Sequence, residues 1–245
     1  MVSILTFFVS IASATVPISP AFPGCGDPET PELCPPDMDG DWELINYVPE
    51  HSLGSVREAE LEMGSGISAN VAWETSTGRW DVLLAVADSG VEWHHPDIVN
   101  KLYINTGELP PPICEDGEES ESYDCDDNGL TNIQDWAHDP RIDIAAGRDP
   151  ADEVLDISDL IYTEFGEAWD GVDNDANGYA DDISGWDFFG NDNDPWHEWY
   201  EGYGTHGTDV MKEAAAEGKN LGEEGGGGIG VCPNCSILPA RIGDS

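Results

Sequence analysis

Basic residues are what this sequence has least of. Eight Lys and Arg stand against 51 Asp and Glu, a formal charge of −43 over 245 residues. A surface so short of cations repels phosphate backbones and anionic lipid, which excludes nucleic acid and membrane surfaces as partners. Long apolar runs are missing too. The run 82–87 is six residues long, against the roughly 20 that a membrane-spanning helix needs. There is no HExxH pair, so a metal-dependent hydrolase built on His206 and the carboxylates lacks its usual ligand set. The glycine-rich run 225–230 is not followed by Lys-Ser/Thr and makes no phosphate cradle. Cys232-Pro-Asn-Cys235 is an isolated CxxC, without the two further ligands of a structural zinc site.

What is present is acid, and acid in such excess repels itself in a compact fold unless cations bind or screen it. Specific Ca²⁺ sites and a generally acidic surface suited to salt are the two explanations. The length allows one large domain or two small ones with a substantial core. Residues 1–14 read as an export signal, apolar and closing on Ala12-Ser13-Ala14, although no Lys or Arg lies near the start. Residues 15–65 form an amino-terminal extension, Pro- and Gly-rich in its first half. Six cysteines fall as three close pairs, Cys25/Cys34, Cys114/Cys125 and Cys232/Cys235. Behind an export signal such a count reads as local disulfides, of which the four-residue Cys232/Cys235 loop is easily strained. The implied location is secreted or extracytoplasmic.

The stretch Val82–Gly90 (VLLAVADSG) organises the rest. Its apolar run predicts a strand buried on both faces, and Asp88 sits at the carboxyl end, where α/β sheets place their chemistry. A short helix is expected within Ile67–Glu74, a strand over Ile183–Phe189, a helix over Thr208–Gly218 and a second core strand over Ser236–Ile242.

Between them lies an acidic region, 107–194, poor in hydrophobic periodicity. So long a loop needs something to hold it. In DCDDNGLTNIQD, Gly129 is sixth counted from Asp124. The oxygens of Asp124, Asp126, Asn128, Asn132 and Asp135 then take the spacing of an EF-hand-like Ca²⁺ loop, with the Leu130 carbonyl as a further ligand. DGVDNDANGYADD repeats the core with Asp173, Asp175, Asn177 and Tyr179. Ser184 stands at its twelfth position, so Asp182 or Asp170 must compensate.

Asp at a strand end and His206 before a helix are the orienter and base of a Ser-His-Asp triad. AVADSGVEWHHPDI and GTHGTDV resemble the Asp and His motifs of the subtilisin-like serine proteases, in that family's order. DGVDNDANGYADDISGWDFF is similar to an acidic insert before the His motif, and GIGVCPNCSILPARIGD to the turn and strand after it. The resemblance covers residues 66–245. It implies a three-layer α/β fold around a largely parallel sheet, of which this chain carries the first half. It also implies Asp88 as the triad acid, His206 as the general base, Asp97 as a Ca²⁺ ligand and a polypeptide as the substrate.

Three departures accompany it. Val210 is followed by Met211-Lys212, where the family has small residues; the Asp88-to-His206 interval is long; and no Gly-Thr-Ser-Met-Ala motif or oxyanion Asn is present. Ser65, between two glycines, is no substitute. The expectation is the amino-terminal part of a secreted, Ca²⁺-stabilised endopeptidase, its partner being the missing carboxyl-terminal half of the domain. The alternative is a catalytically inactive, calcium-binding or structural remnant of the fold.

Overall fold

The computed structural model describes residues 67–148, 153–163, 171–197, 206–217 and 228–243. The expected export signal and extension, the Cys25/Cys34 pairing and Asp170 lie outside these residues.

Three strands, β1 (Leu83–Asp88), β2 (Trp186–Asp187) and β3 (Ser236–Arg241), form one parallel sheet in the order β1-β3-β2. The chain crosses from β1 to its neighbour β3 by way of α3 (His206–Ala215), which packs on both strands. Two shorter helices, α1 (Ala69–Trp73) and α2 (Ile157–Tyr162), complete the α elements among the described residues. Register puts Asp88, Arg241 and Asp187 side by side at the carboxyl ends of the three strands.

The expectation that β1 is buried on both faces is corrected. Leu84 and Val86 point inward, whereas Leu83, Ala85 and Ala87 are exposed. A strand is buried on both sides only when layers cover both faces. Among the described residues α3 covers one face, and β1 is an edge of the sheet.

The strand expected over Ile183–Phe189 shrinks to Trp186–Asp187. Gly185 before it adopts φ +80°, and a β-carbon there would collide with the Pro239 carbonyl of β3. After it, the Asp187 carboxylate accepts the Phe189 and Gly190 N–H groups and turns the chain away. Asp187 also meets Arg241 at 2.7 Å in a buried ion pair.

The acidic region is held in part by apolar side chains of its own. In α2 a reciprocal cap between Asp156 and Asp159 closes the amino end, and Ile157, Leu160 and Ile161 are fully buried. A 3-10 turn, Ile133–Trp136, carries the same kind of cap between Asn132 and Asp135 and buries Ile133 and Trp136. Together they pack with Trp93, Ile98, Leu102 and Ile183 into one core. These segments are too short to register as periodic in a sequence window. Disulfides join Cys114–Cys125 and Cys232–Cys235.

Candidate active site

Asp88 ends β1, and Ser89-Gly90 turns the chain sharply, Gly90 at φ +111°. α3 docks its amino end onto that turn. It begins two residues earlier than the sequence suggests, so His206 is its first residue and Gly207 its second. The Gly207 N–H donates to Ser89 Oγ (3.0 Å), and Thr208 Oγ1 accepts the Glu92 N–H (2.9 Å). A β-carbon on Gly207 would collide with the Gly90 carbonyl and lie 3.3 Å from the Asp88 β-carbon. The glycine is what lets helix and turn approach so closely.

This docking brings the two motif residues together: His206 Nδ1 lies 2.7 Å from Asp88 Oδ1. With a carboxylate accepting, Nδ1 carries the proton and the lone pair of Nε2 faces outward. The imidazole side chain is 65% exposed and the Asp88 side chain 19%, so the ring is open to an incoming group while its partner is sheltered. The hydrogen bond and charge of Asp88 raise the His206 pKa above the ordinary imidazole value. For Asp88, partial burial pushes the pKa up, but the bonds from His206 and the Ser89 N–H outweigh it and hold the carboxyl below its usual range. Such a pair orients and polarises an imidazole for proton transfer.

Met211 does not obstruct the docking. It is fully buried on the same face of α3 as Gly207, Thr208 and Ala215, while Lys212 turns to Asp209 at 3.3 Å. The core accepts the longer side chain.

The two acidic loops are built alike. Asp124 accepts the Asn128 and Gly129 N–H groups, and Asp173 those of Asn177 and Gly178. Asn128 Nδ2 donates to Asp126, and Asn177 Nδ2 to Asp175. In the first loop, ligand atoms of Asp124, Asp126 and Asp135 lie within 4.8 Å of one another. Asp135 is buried, and its oxygens accept the Cys125 and Asn132 N–H groups. The Leu130 N–H donates to Asn128 Oδ1.

In the second loop the close group is Asp175, Asp182 and Glu108. Glu108 is nearly fully buried, accepts the Asp175 and Asp181 N–H groups, and was not among the expected ligands. Asn105 donates to both Asp175 and Asp182. Tyr179 packs its ring against Trp186 and Phe188. Asp97 is buried and lies in neither acidic group. Burial, and then the neighbouring carboxylates, raise the pKa values of Asp135 and Asp182.

A family model described as the subtilase family matches residues 80–245, more than half of the chain, and the chain belongs to that family of serine proteases. Its small parallel sheet is consistent with part of the α/β subtilisin-like fold. No curated protein matches the chain. No helix among the described residues is long and apolar enough to cross a membrane.

Proposed function

We infer that Asp88 and His206 are the acid and base of a serine endopeptidase acting through an acyl-enzyme, in a secreted subtilase stabilised by Ca²⁺. The observation that carries this reading is the 2.7 Å contact between two residues 118 positions apart, at a strand end and a helix start. In this role Nε2 of His206 takes the proton from a serine hydroxyl as it attacks the peptide carbonyl, then gives it to the leaving amine. Asp88 holds the tautomer and stabilises the imidazolium formed on the way. Polypeptide substrates are what the family implies; nothing in these residues selects a sequence. The two disulfides among the described residues fit an oxidising, extracytoplasmic setting.

The donor sets fit Ca²⁺ and not a softer metal, since they are all oxygen, come from carboxylates and amides, and lie close together. Asp124, Asp126, Asn128 and Asp135 would hold one ion, with the Leu130 carbonyl. Glu108, Asp175 and Asp182 would hold another, with Asp173 and Asn177 shaping the loop. Like-charge crowding in each set favours a cation, and bound Ca²⁺ supplies charge neutralisation that ties the acidic loops to the core.

The test is hydrolysis of an unstructured protein, with active-site labelling by a fluorophosphonate, on the mature protein from its source. His206→Ala should lower turnover at least about 10⁴-fold and abolish labelling. Unchanged hydrolysis in His206→Ala refutes the assignment. Neither hydrolysis nor labelling in the unaltered protein identifies the inactive, structural form of the fold.

A further inference from the structure

At the end of α3 remote from His206, Cys232 and Cys235 are joined in the turn that leads into β3. Hydrogen bonds hold this turn independently of the sulfur–sulfur bond. The Cys232 N–H donates to the Ala214 carbonyl (2.8 Å), and the Cys235 N–H to the Cys232 carbonyl (2.9 Å). Asn234 adds its N–H to the Thr77 carbonyl (3.0 Å) and its Nδ2 to Thr77 Oγ1 (2.6 Å). Gly78, at φ +93°, leaves the room both sulfurs occupy; a β-carbon there would collide with Cys232 Sγ. If the disulfide opened, the two thiols would stay close on a fixed turn.

The second observation is a cation placed on that turn. Lys101 is buried, and its ammonium donates to the Pro233 carbonyl, between the two cysteines, at 2.7 Å. Each of the other basic residues described is bonded to a carboxylate: Arg79 to Asp81, Arg141 to Asp139, Arg148 to Asp194, Lys212 to Asp209 and Arg241 to Asp187. With 51 acids available, Lys101 alone among the described basic residues bonds a carbonyl and no described carboxylate. Burial pushes its pKa down to about 8, with Glu217 opposing, so it is a cation at neutral pH. A cation beside a CxxC favours thiolate and eases exchange.

The other described disulfide is the built-in contrast. Cys114 and Cys125 lie among Glu115, Asp116, Glu118 and Glu119, whose charge disfavours a thiolate there. Their loop is also longer, 11 residues apart in sequence against 3. A bond closing the shorter loop restrains the unfolded chain less.

We propose that Cys232-Pro233-Asn234-Cys235 is a thiol–disulfide exchange site, opened by a dithiol reductant and closed by the matching disulfide. Cys232 is partly exposed whereas Cys235 is buried, so attack falls on Cys232. A thiolate of the reductant bonds to Cys232 Sγ, the bond to Cys235 breaks, and Cys235 leaves as a thiolate on the turn whose Pro233 carbonyl accepts the Lys101 ammonium, before taking a proton from water. The second thiol of the reductant, giving up its proton, then attacks the mixed disulfide. Cys232 is released as a thiolate and protonated, and the reductant departs as a disulfide. Two electrons have passed to the protein. The site is separate from the proteolytic reading and does not depend on it.

The experiment equilibrates the folded protein with graded ratios of reduced to oxidised dithiothreitol, traps thiols by alkylation and maps them by mass spectrometry. Far-ultraviolet circular dichroism is followed in parallel. Cys232 and Cys235 should be alkylated while Cys114 and Cys125 remain joined and the spectrum is unchanged. Lys101→Met should slow opening several-fold, because a leaving thiol of higher pKa departs more slowly, and Lys101→Arg should restore the rate. The proposal is overturned if both disulfides open together, or if Cys232 and Cys235 open only as the spectrum collapses. A folded Lys101→Met that opens as fast as the unaltered protein overturns it too. The comparison of the two disulfides needs no variant, so misfolding of Lys101→Met leaves a decisive result in hand.

Discussion

Replacing Gly207 by Ala sets two physical effects of opposite sign against each other. Gly207 is the second residue of α3, and its backbone is already helical. By propensity alone the added methyl should stabilise the protein by up to about 1 kcal/mol. The docking argues otherwise. The new β-carbon would overlap the Gly90 carbonyl and press within 3.3 Å of the Asp88 β-carbon. The principal obstacle is backbone on a tight turn, so no side chain can rotate out of the way. Relief requires α3 to retreat by about 1 Å, and overpacking of this kind costs about 1–3 kcal/mol, more than the propensity returns. The same retreat would stretch the 2.7 Å bond from His206 to Asp88 beyond hydrogen-bond range. Gly207→Ala should therefore lower the urea midpoint and bring the His206 titration, followed by NMR, down toward the ordinary imidazole value. If the protein is active, turnover should fall about 10²-fold for a misplacement of this size. A raised midpoint with an unaltered His206 titration would refute the reasoning.

Three other outcomes follow from named contacts. Asp88→Asn should return the His206 pKa toward its usual value, since the hydrogen bond and charge of Asp88 raise it. The pair's contribution to stability should be full between the ordinary carboxylate range and the ordinary imidazole range. It should fade as pH rises through the raised His206 pKa and as pH falls through the lowered Asp88 pKa, which acid and alkaline unfolding series can check. Thermal unfolding should occur at higher temperature with Ca²⁺ than with chelator, by about 2.7 kcal/mol per site at 100 times the dissociation constant, and equal midpoints would reduce the loops to solvated acid. Glu108→Gln should remove part of that difference, as should Asp124→Ala. Arg241→Met should cost about 3 kcal/mol, the low end for breaking a buried pair, because the Phe189 and Gly190 N–H groups still serve the Asp187 carboxylate. A loss under about 0.5 kcal/mol in denaturant unfolding, the size of an exposed pair, would show that Asp187 is not isolated from water.

How much of this was legible in the sequence depended on how local the cause was. β1, β3 and α3 announce themselves by apolar runs and helix formers within a few residues, and the turn at Gly90 by its composition. The two acidic loops do so as well, because a side chain such as Asp124 meets N–H groups only 4 and 5 residues on. Glu108 was missed because its partners in the second loop lie 67 and 73 residues away, and nothing around Glu108 marks it as acid meant for a cluster. α2 was missed because six residues carry too little periodicity, and its stability comes from a core that the sequence does not display. Met211 departs from the small residues the family has there, yet whether a methionine fits is decided by Ile237, Val86 and the rest of the core, and it is buried with them. The Gly207 contact sharpens the point. Propensity sees a poor helix former at the start of a helix, and only the turn 117 residues upstream explains why nothing larger belongs there. A site made of two distant motifs is legible in its chemistry and opaque in its closeness of fit, and closeness of fit is where the hydrogen bond between Asp88 and His206 is held or lost.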